Sequence, residues 1–293
     1  MSEAPKKDEL TGIDTTGHDW DGITELDNPL PKWWLYIFYA TIAFSVLAWI
    51  WYPSWPVWNG EWTYLKGVAN FSKREEVMAE IASIEAGREV YYSRMRGEDL
   101  DAIARDPELM QLALAGGAAA FGDNCAPCHG TGAQGSAGFP NLGDDAWLWG
   151  GTRDAIYTTL QHGIRWEADA NTRLSIMQGY LKDGILSRDE IADVVEYVLA
   201  LSGQEHEQEA AARGAVTFAE ICSACHMEDG RGSHDVGAPN LTDAIWLYGG
   251  TREIIFETVA NGRAGVMPAW SGRLDDATIR QLALYVHSLG GGE

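Results

Sequence analysis

Hydrophobic and polar positions change texture several times along the chain. Residues 1–32 are polar and rich in Asp, Gly and Pro, with eight acidic residues against three basic ones. Such a segment buries too little to hold a core, so it is expected to be an extended arm. From Trp33 to Tyr52 twenty residues follow without a charge. At ~1.5 Å per residue they would make a helix about 30 Å long, the thickness of a bilayer's hydrocarbon layer. Trp33, Trp34 and Tyr36 sit at one end, and Trp49, Trp51, Tyr52, Trp55 and Trp58 at the other. Indole and phenol rings favour the headgroup level, so the pattern predicts a membrane-spanning helix at 33–52 with an aromatic belt at both faces. Pro31 precedes it and Pro53 ends it. The acidic arm before it, and the lack of a small-x-small cleavage site after it, favour an anchor over a removed leader.

Residues 53–106 read as a helical connector. Val77, Ile81, Ile84 and Tyr91 recur at helical spacing, and Pro107 suits the first turn of the next helix. Beyond it the chain repeats itself. Pro140-Asn141-Leu142 matches Pro239-Asn240-Leu241, and Trp147 to Arg153 matches Trp246 to Arg252. Each repeat closes on an amphipathic helix. The first opens with a capping box at Ser187 and Glu190 and carries Ile191, Val194, Val195 and Val198; the second runs from about Asp276 to Leu289. Strand signals are weak. The expectation is an all-α chain: one N-terminal transmembrane helix, then two small domains at 107–203 and 204–293.

Charge and cysteine usage narrow the chemistry. The net charge is −22, which disfavours nucleic acid and suits a basic partner. No Walker phosphate loop is present, and no Ser-His-Asp arrangement stands out. All four cysteines fall in two pentapeptides, Cys125-Ala-Pro-Cys128-His129 and Cys222-Ser-Ala-Cys225-His226. Cys-x-x-Cys-His is the attachment motif of haem c. Two thiols add to the vinyl groups of one porphyrin edge, and the following His is carried under the iron. A zinc ribbon would place two Cys pairs roughly 15–20 residues apart and has no need of a His after each. Here each pair sits in its own repeat, so two covalently bound haems c are expected, and the domains read as cytochrome c-like.

An electron-carrying haem needs a sixth ligand, and a methionine thioether raises its potential. Met267 is the candidate in the second repeat. In the first, Met177 is the only Met after the attachment site, with His162 as a rival; Asn261 takes the place of His162 in the second repeat. Each Met is therefore expected to serve the haem of its own repeat. The carbonyls of Pro140 and Pro239 are candidates to orient the two His rings, against a simple loop role. Arg153 and Arg252 are candidates for haem carboxylates, against solvated surface charge. His18, His206, His234 and His287 read as ordinary polar residues.

The arm makes the assignment narrower. His18-Asp19-Trp20-Asp21-Gly22-Ile23-Thr24-Glu25-Leu26-Asp27-Asn28-Pro29-Leu30-Pro31, then Trp33-Trp34-Leu35 and Tyr52-Pro53-Ser54-Trp55-Pro56, resembles the dihaem c-type subunit of cbb3-type cytochrome c oxidases. The resemblance runs from about residue 18 to the end. It implies a subunit of the bacterial inner membrane, single-pass, with its N-terminus in the cytoplasm and its haem domains in the periplasm. It also implies a role: electrons come from a donor cytochrome c and pass to a monohaem c subunit and the haem–copper catalytic subunit. His129 and His226 would be the proximal ligands, Met177 and Met267 the distal ones. The chain departs from the family's Met-Pro at Gln178. The rival classes are a dihaem peroxidase-like enzyme and a haem-based sensor, both of which need an open iron.

Overall fold

The computed structural model describes residues 6–292; the first five residues of the arm and Glu293 lie outside them. The chain forms two units, one up to Ala86 and one from Gly87 onward.

In the first unit the arm is not simply extended. Strands β1 (Thr15–Trp20) and β2 (Ile23–Leu26) pair antiparallel, with Trp20 opposite Ile23. Asp21 and Gly22 turn between them, both at positive φ (54° and 90°). A two-residue turn with both φ positive matches the right-handed twist of flanking strands, and Asp-Gly is among the pairs that adopt it most readily.

Helix α1 (Lys32–Trp51) contains no buried residue and is long and apolar enough to cross a membrane. Its last carbonyls are not left bare: the N–H groups of Val68 and Ala69 donate to Ile50 and Trp51. Between them lies a second hairpin, β3 (Pro56–Trp58) with β4 (Trp62–Tyr64). The Trp58 and Trp62 rings meet edge-on across it at 5.4 Å.

Helix α2 (Lys73–Gly97) leads into the second unit, followed by α3 (Leu100–Arg105) and α4 (Pro107–Asn124). Asp99 and Asp106 cap α3 and α4, and Pro107 takes the first turn of α4. The single turn α5 (Ala126–His129) carries the first Cys-x-x-Cys-His end. Then come α6 (Arg153–His162), α7 (Arg188–Leu201), α8 (Gln208–Thr217), α9 (Ser223–His226), α10 (Arg252–Asn261) and α11 (Asp276–His287). The capping box at Ser187 and Glu190 is formed. The 53–106 segment is more than a connector, because Met95, Leu100 and Ile103 are fully buried in the same core as α4 and α11.

The helices pair across the repeats. α4 packs on α11, and α7 packs on α8. One core joins Leu109, Ala113 and Phe121 to Leu282 and Val286; the other joins Ile191, Val195 and Val198 to Phe218 and Val259. The six residues 202–207 between α7 and α8 explain this. So short a link makes consecutive helices neighbours. With α8 on α7, the face of α4 is left for α11. The expected division at 203/204 therefore follows the sequence, while the packing exchanges the terminal helices.

Candidate haem centres

Both Cys-x-x-Cys-His segments are single helical turns. The first continues α4; the second follows a wide π-type turn at Phe218–Cys222. In each the imidazole is held from behind. His129 Nδ1 lies 3.0 Å from the Pro140 carbonyl, and His226 Nδ1 lies 3.1 Å from the Pro239 carbonyl. A carbonyl only accepts, so Nδ1 carries the proton and Nε2 keeps its lone pair for a metal. Burial holds both imidazoles below the ordinary histidine range, with the proline carbonyl working the other way. Burial, and secondarily the neighbouring Cys, pushes the Cys125 and Cys222 thiols up to about 11. Among the described residues no three His, Cys, Asp or Glu side chains are grouped to hold a metal ion.

The two methionines sit opposite to expectation. Met177 lines one cavity with Cys222, Cys225 and His226. Met267 packs on the core that contains Cys125, with Leu142, Trp147 and Leu160. Met177 therefore lies with the attachment segment of the second repeat and Met267 with the core of the first, so the expectation that each Met stays with its own repeat does not match the packing. The cause is the helix exchange: Met177 precedes α7 and Met267 precedes α11, so each travels with its terminal helix.

The crossing is locked by two short bridges. Met267 and Ile164 exchange backbone hydrogen bonds of 2.9 and 3.0 Å, and Met177 and Arg263 exchange bonds of 3.1 and 3.0 Å. Gly163 and Gly262 stand next to them at φ 67° and 74°. A Cβ at Gly163 would fall 2.4 Å from the Met267 carbonyl oxygen, and one at Gly262 would fall 2.3 Å from that of Met177. Only glycine fits both demands.

The matched Trp-x-x-Gly-Gly-Thr-Arg blocks build the walls. Trp147 and Trp246 lie over Gly151 and Gly250, where a Cβ would be 2.7 and 2.5 Å from the indoles. Thr152 and Thr251 cap α6 and α10. Both arginines pair with protein carboxylates: Arg153 with Asp101 at 2.6 Å and Arg252 with Glu196 at 2.5 Å. His162 is likewise engaged, with Nδ1 3.0 Å from Asp169 Oδ2.

Comparison with known proteins agrees along the whole chain. Residues 12–59 match the family model described as the N-terminal domain of cytochrome oxidase-cbb3, FixP. Residues 114–202 match cytochrome c, and residues 209–286 match cytochrome C oxidase, cbb3-type, subunit III. The Cbb3-type cytochrome c oxidase subunit CcoP of Cereibacter sphaeroides is 50% identical over 293 residues, covering 100% of both chains. CcoP of Azospirillum brasilense is 48% identical over 98% of this chain and 99% of its own. FixP of Bradyrhizobium diazoefficiens is 48% identical over 100% of both. The chain belongs to the CcoP/FixP family of cbb3-type cytochrome c oxidase subunits. As a CcoP/FixP chain it is an electron-transport protein with one candidate membrane helix and two cytochrome c domains, which imply haem c. The arm signature of the family, His18 to Pro31, coincides with the β1–β2 hairpin and the entry to α1.

One site feature escaped the sequence reading. Counted back from the methionines, Arg173-x-x-x-Met177 repeats as Arg263-x-x-x-Met267. Arg173 Nε bonds Thr159 Oγ1 at 3.0 Å, and Arg263 Nε bonds the matching Thr258 Oγ1 at 3.1 Å. The extra nine residues of the first repeat are thus Ile164–Thr172, inserted between Gly163 and Arg173.

Proposed function

We propose that the chain is a two-haem electron relay of a cbb3-type oxidase. It takes electrons from a donor cytochrome c and passes them to the monohaem c subunit, which feeds the haem–copper subunit. The observation that carries this is the duplicated centre: two attachment turns, each with an imidazole oriented through Nδ1, and two methionines brought across to face them.

Haem c, when bound, supplies the redox-active iron. The protein's part is to hold it. Cys125 and Cys128, and Cys222 and Cys225, would be the covalent anchors. His129 with Met267, and His226 with Met177, would hold the two irons. Iron held from both sides would offer no open position to oxygen or peroxide, which suits a relay and disfavours a peroxidase or a gas sensor. Val194, Val198, Phe218 and Leu241 line the cavity at the second attachment turn, an apolar setting that would limit the solvent around a haem held there. Helix α1 tethers the relay to the inner membrane, with the N-terminus in the cytoplasm and the cytochrome domains in the periplasm.

The test is purification of the full chain from membranes under mild detergent. The reading predicts co-purification with the other oxidase subunits, two covalent haems retained after denaturation, and no carbon monoxide binding by the isolated reduced chain. Carbon monoxide binding by the wild-type chain, or haem lost on denaturation, would contradict it.

A further inference from the structure

The cavity shared by Met177, Cys222, Cys225 and His226 has two arginines in its wall and no carboxylate. That balance is unusual in a chain of net charge −22. Arg263 bonds Thr258 through Nε and Nη2 and lies over the Tyr248 ring, 4.1 Å from its centroid. Arg165 is held by carbonyls alone, Nε to Gly265 at 2.6 Å and Nη1 to Ser175 at 2.5 Å. Neither has a carboxylate partner among the described residues, whereas Arg153 and Arg252 do.

Arg263 has a twin in Arg173. Arg165 has none, because it belongs to the insert Ile164–Thr172 that the second repeat lacks. The insert is pinned on several sides. His162 bonds Asp169, the Arg165 N–H donates to the Arg173 carbonyl at 2.9 Å, and Trp166 faces the Arg273 guanidinium at 5.3 Å. Arg165 itself is held at φ 51°, a region an L residue enters at a cost of order 1–3 kcal/mol unless its surroundings fix it. A guanidinium placed in a largely apolar cavity keeps its charge and requires a counter-charge. Two carbonyls take two of its five N–H donors and do not neutralise it.

We propose that Arg165 is a ligand-binding residue of the second centre, pairing with a carboxylate of the haem anchored at Cys222 and Cys225 and raising that haem's reduction potential. The proposal rests on the haem reading above. Haem is apolar with carboxylate-bearing propionates, which matches this cavity and its two cations. A guanidinium pairs with a carboxylate through short charge-assisted bonds. Positive charge near the iron favours the state with one more electron, so the potential rises. Because the insert occurs only in the first repeat, it sets apart two centres that otherwise share their parts.

The experiment is a redox titration of the full-length detergent-purified chain as wild type, R165Q and R165K, with covalent haem counted on each denatured protein. Met177→His, alone and combined with R165Q, marks the potential that belongs to this cavity, since replacing thioether by imidazole lowers it. The expected result is two haems in every variant and one potential lowered in R165Q, the same one that Met177→His lowers. The other potential stays put. R165K keeps the charge and stays near wild type. R165Q also raises the pH at which the lowered potential begins to rise on acidification, because a carboxylate without its guanidinium takes up a proton more readily. Unchanged potentials in R165Q, or a shift in the potential that Met177→His leaves alone, would overturn the proposal. So would R165K matching R165Q with loss of the low-spin spectrum, which would make Arg165 only a strut between Ser175 and Gly265. A wild-type chain without covalent haem would instead overturn the haem reading, and this proposal with it.

Discussion

Glu196 shows how single residues hold the centres in place. Its side chain is buried, accepts from Arg252 Nε and Nη2, and accepts the Glu207 N–H at 2.7 Å. The Arg252 hydrogen bond holds its carboxyl below the ordinary glutamate range, against the opposing effect of burial. The unfolded chain therefore binds a proton that the folded chain refuses. The stabilisation is fully present above the unfolded value, roughly 4.3, and is lost as pH falls through the depressed folded value. Acid unfolding of the second unit, followed by circular dichroism, should show this loss, and Glu196→Gln should flatten it while lowering stability at neutral pH. At this scale the sequence spoke clearly wherever the chemistry is local: the five-residue attachment turn and the Ser187 capping box are each set within a few residues. The Pro140 and Pro239 carbonyls, 11 and 13 positions from their His, stood open against a simple loop role. Arg153 and Arg252 were ambiguous because their partners Asp101 and Glu196 lie 52 and 56 positions away.

Elements were harder to read than residues. The arm reads as extended from its polarity, and its hairpin was missed, because a hairpin with almost no buried face leaves no alternation to detect. The exchange of terminal helices was hidden for another reason. Repeats that match in sequence present matching faces, so α4 fits α7 or α11 equally well on pattern alone, and only the short 202–207 link decides. The close approach of α7 and α8 depends on Gly214, where a Cβ would stand 2.0 Å from the Asp193 carbonyl oxygen. Gly117 plays the same part between α4 and α11, with its Cβ position 2.5 Å from the Gln281 carbonyl oxygen. Gly214→Ala forces those backbones apart. We expect it to cost about 1–3 kcal/mol, as overpacking of a tight core does, and to lower the thermal midpoint of the holo protein. An unchanged midpoint would show that the two helices do not cross there.

For the whole molecule, the span, the arm signature and the two attachment motifs identify the family, while long-range pairing decides which groups meet. Residues 61–293 hold 35 acidic and 18 basic residues, a net of −17. Complementary charge raises association rates at low salt. With a basic donor cytochrome, the electron-transfer rate should fall as added salt shortens the screening length from ~10 to ~3 Å; a rate indifferent to salt would point to an apolar docking face. The central claim is that each haem takes its histidine from one repeat and its methionine from the other. It is tested most directly on a chain with Cys222 and Cys225 replaced by Ala, so that only the haem on Cys125 and Cys128 remains. The spin state of that haem is then read by electron paramagnetic resonance after Met267→Ala or Met177→Ala. The exchanged pairing predicts a high-spin signal from Met267→Ala and an undisturbed low-spin signal from Met177→Ala. The reverse outcome would contradict it.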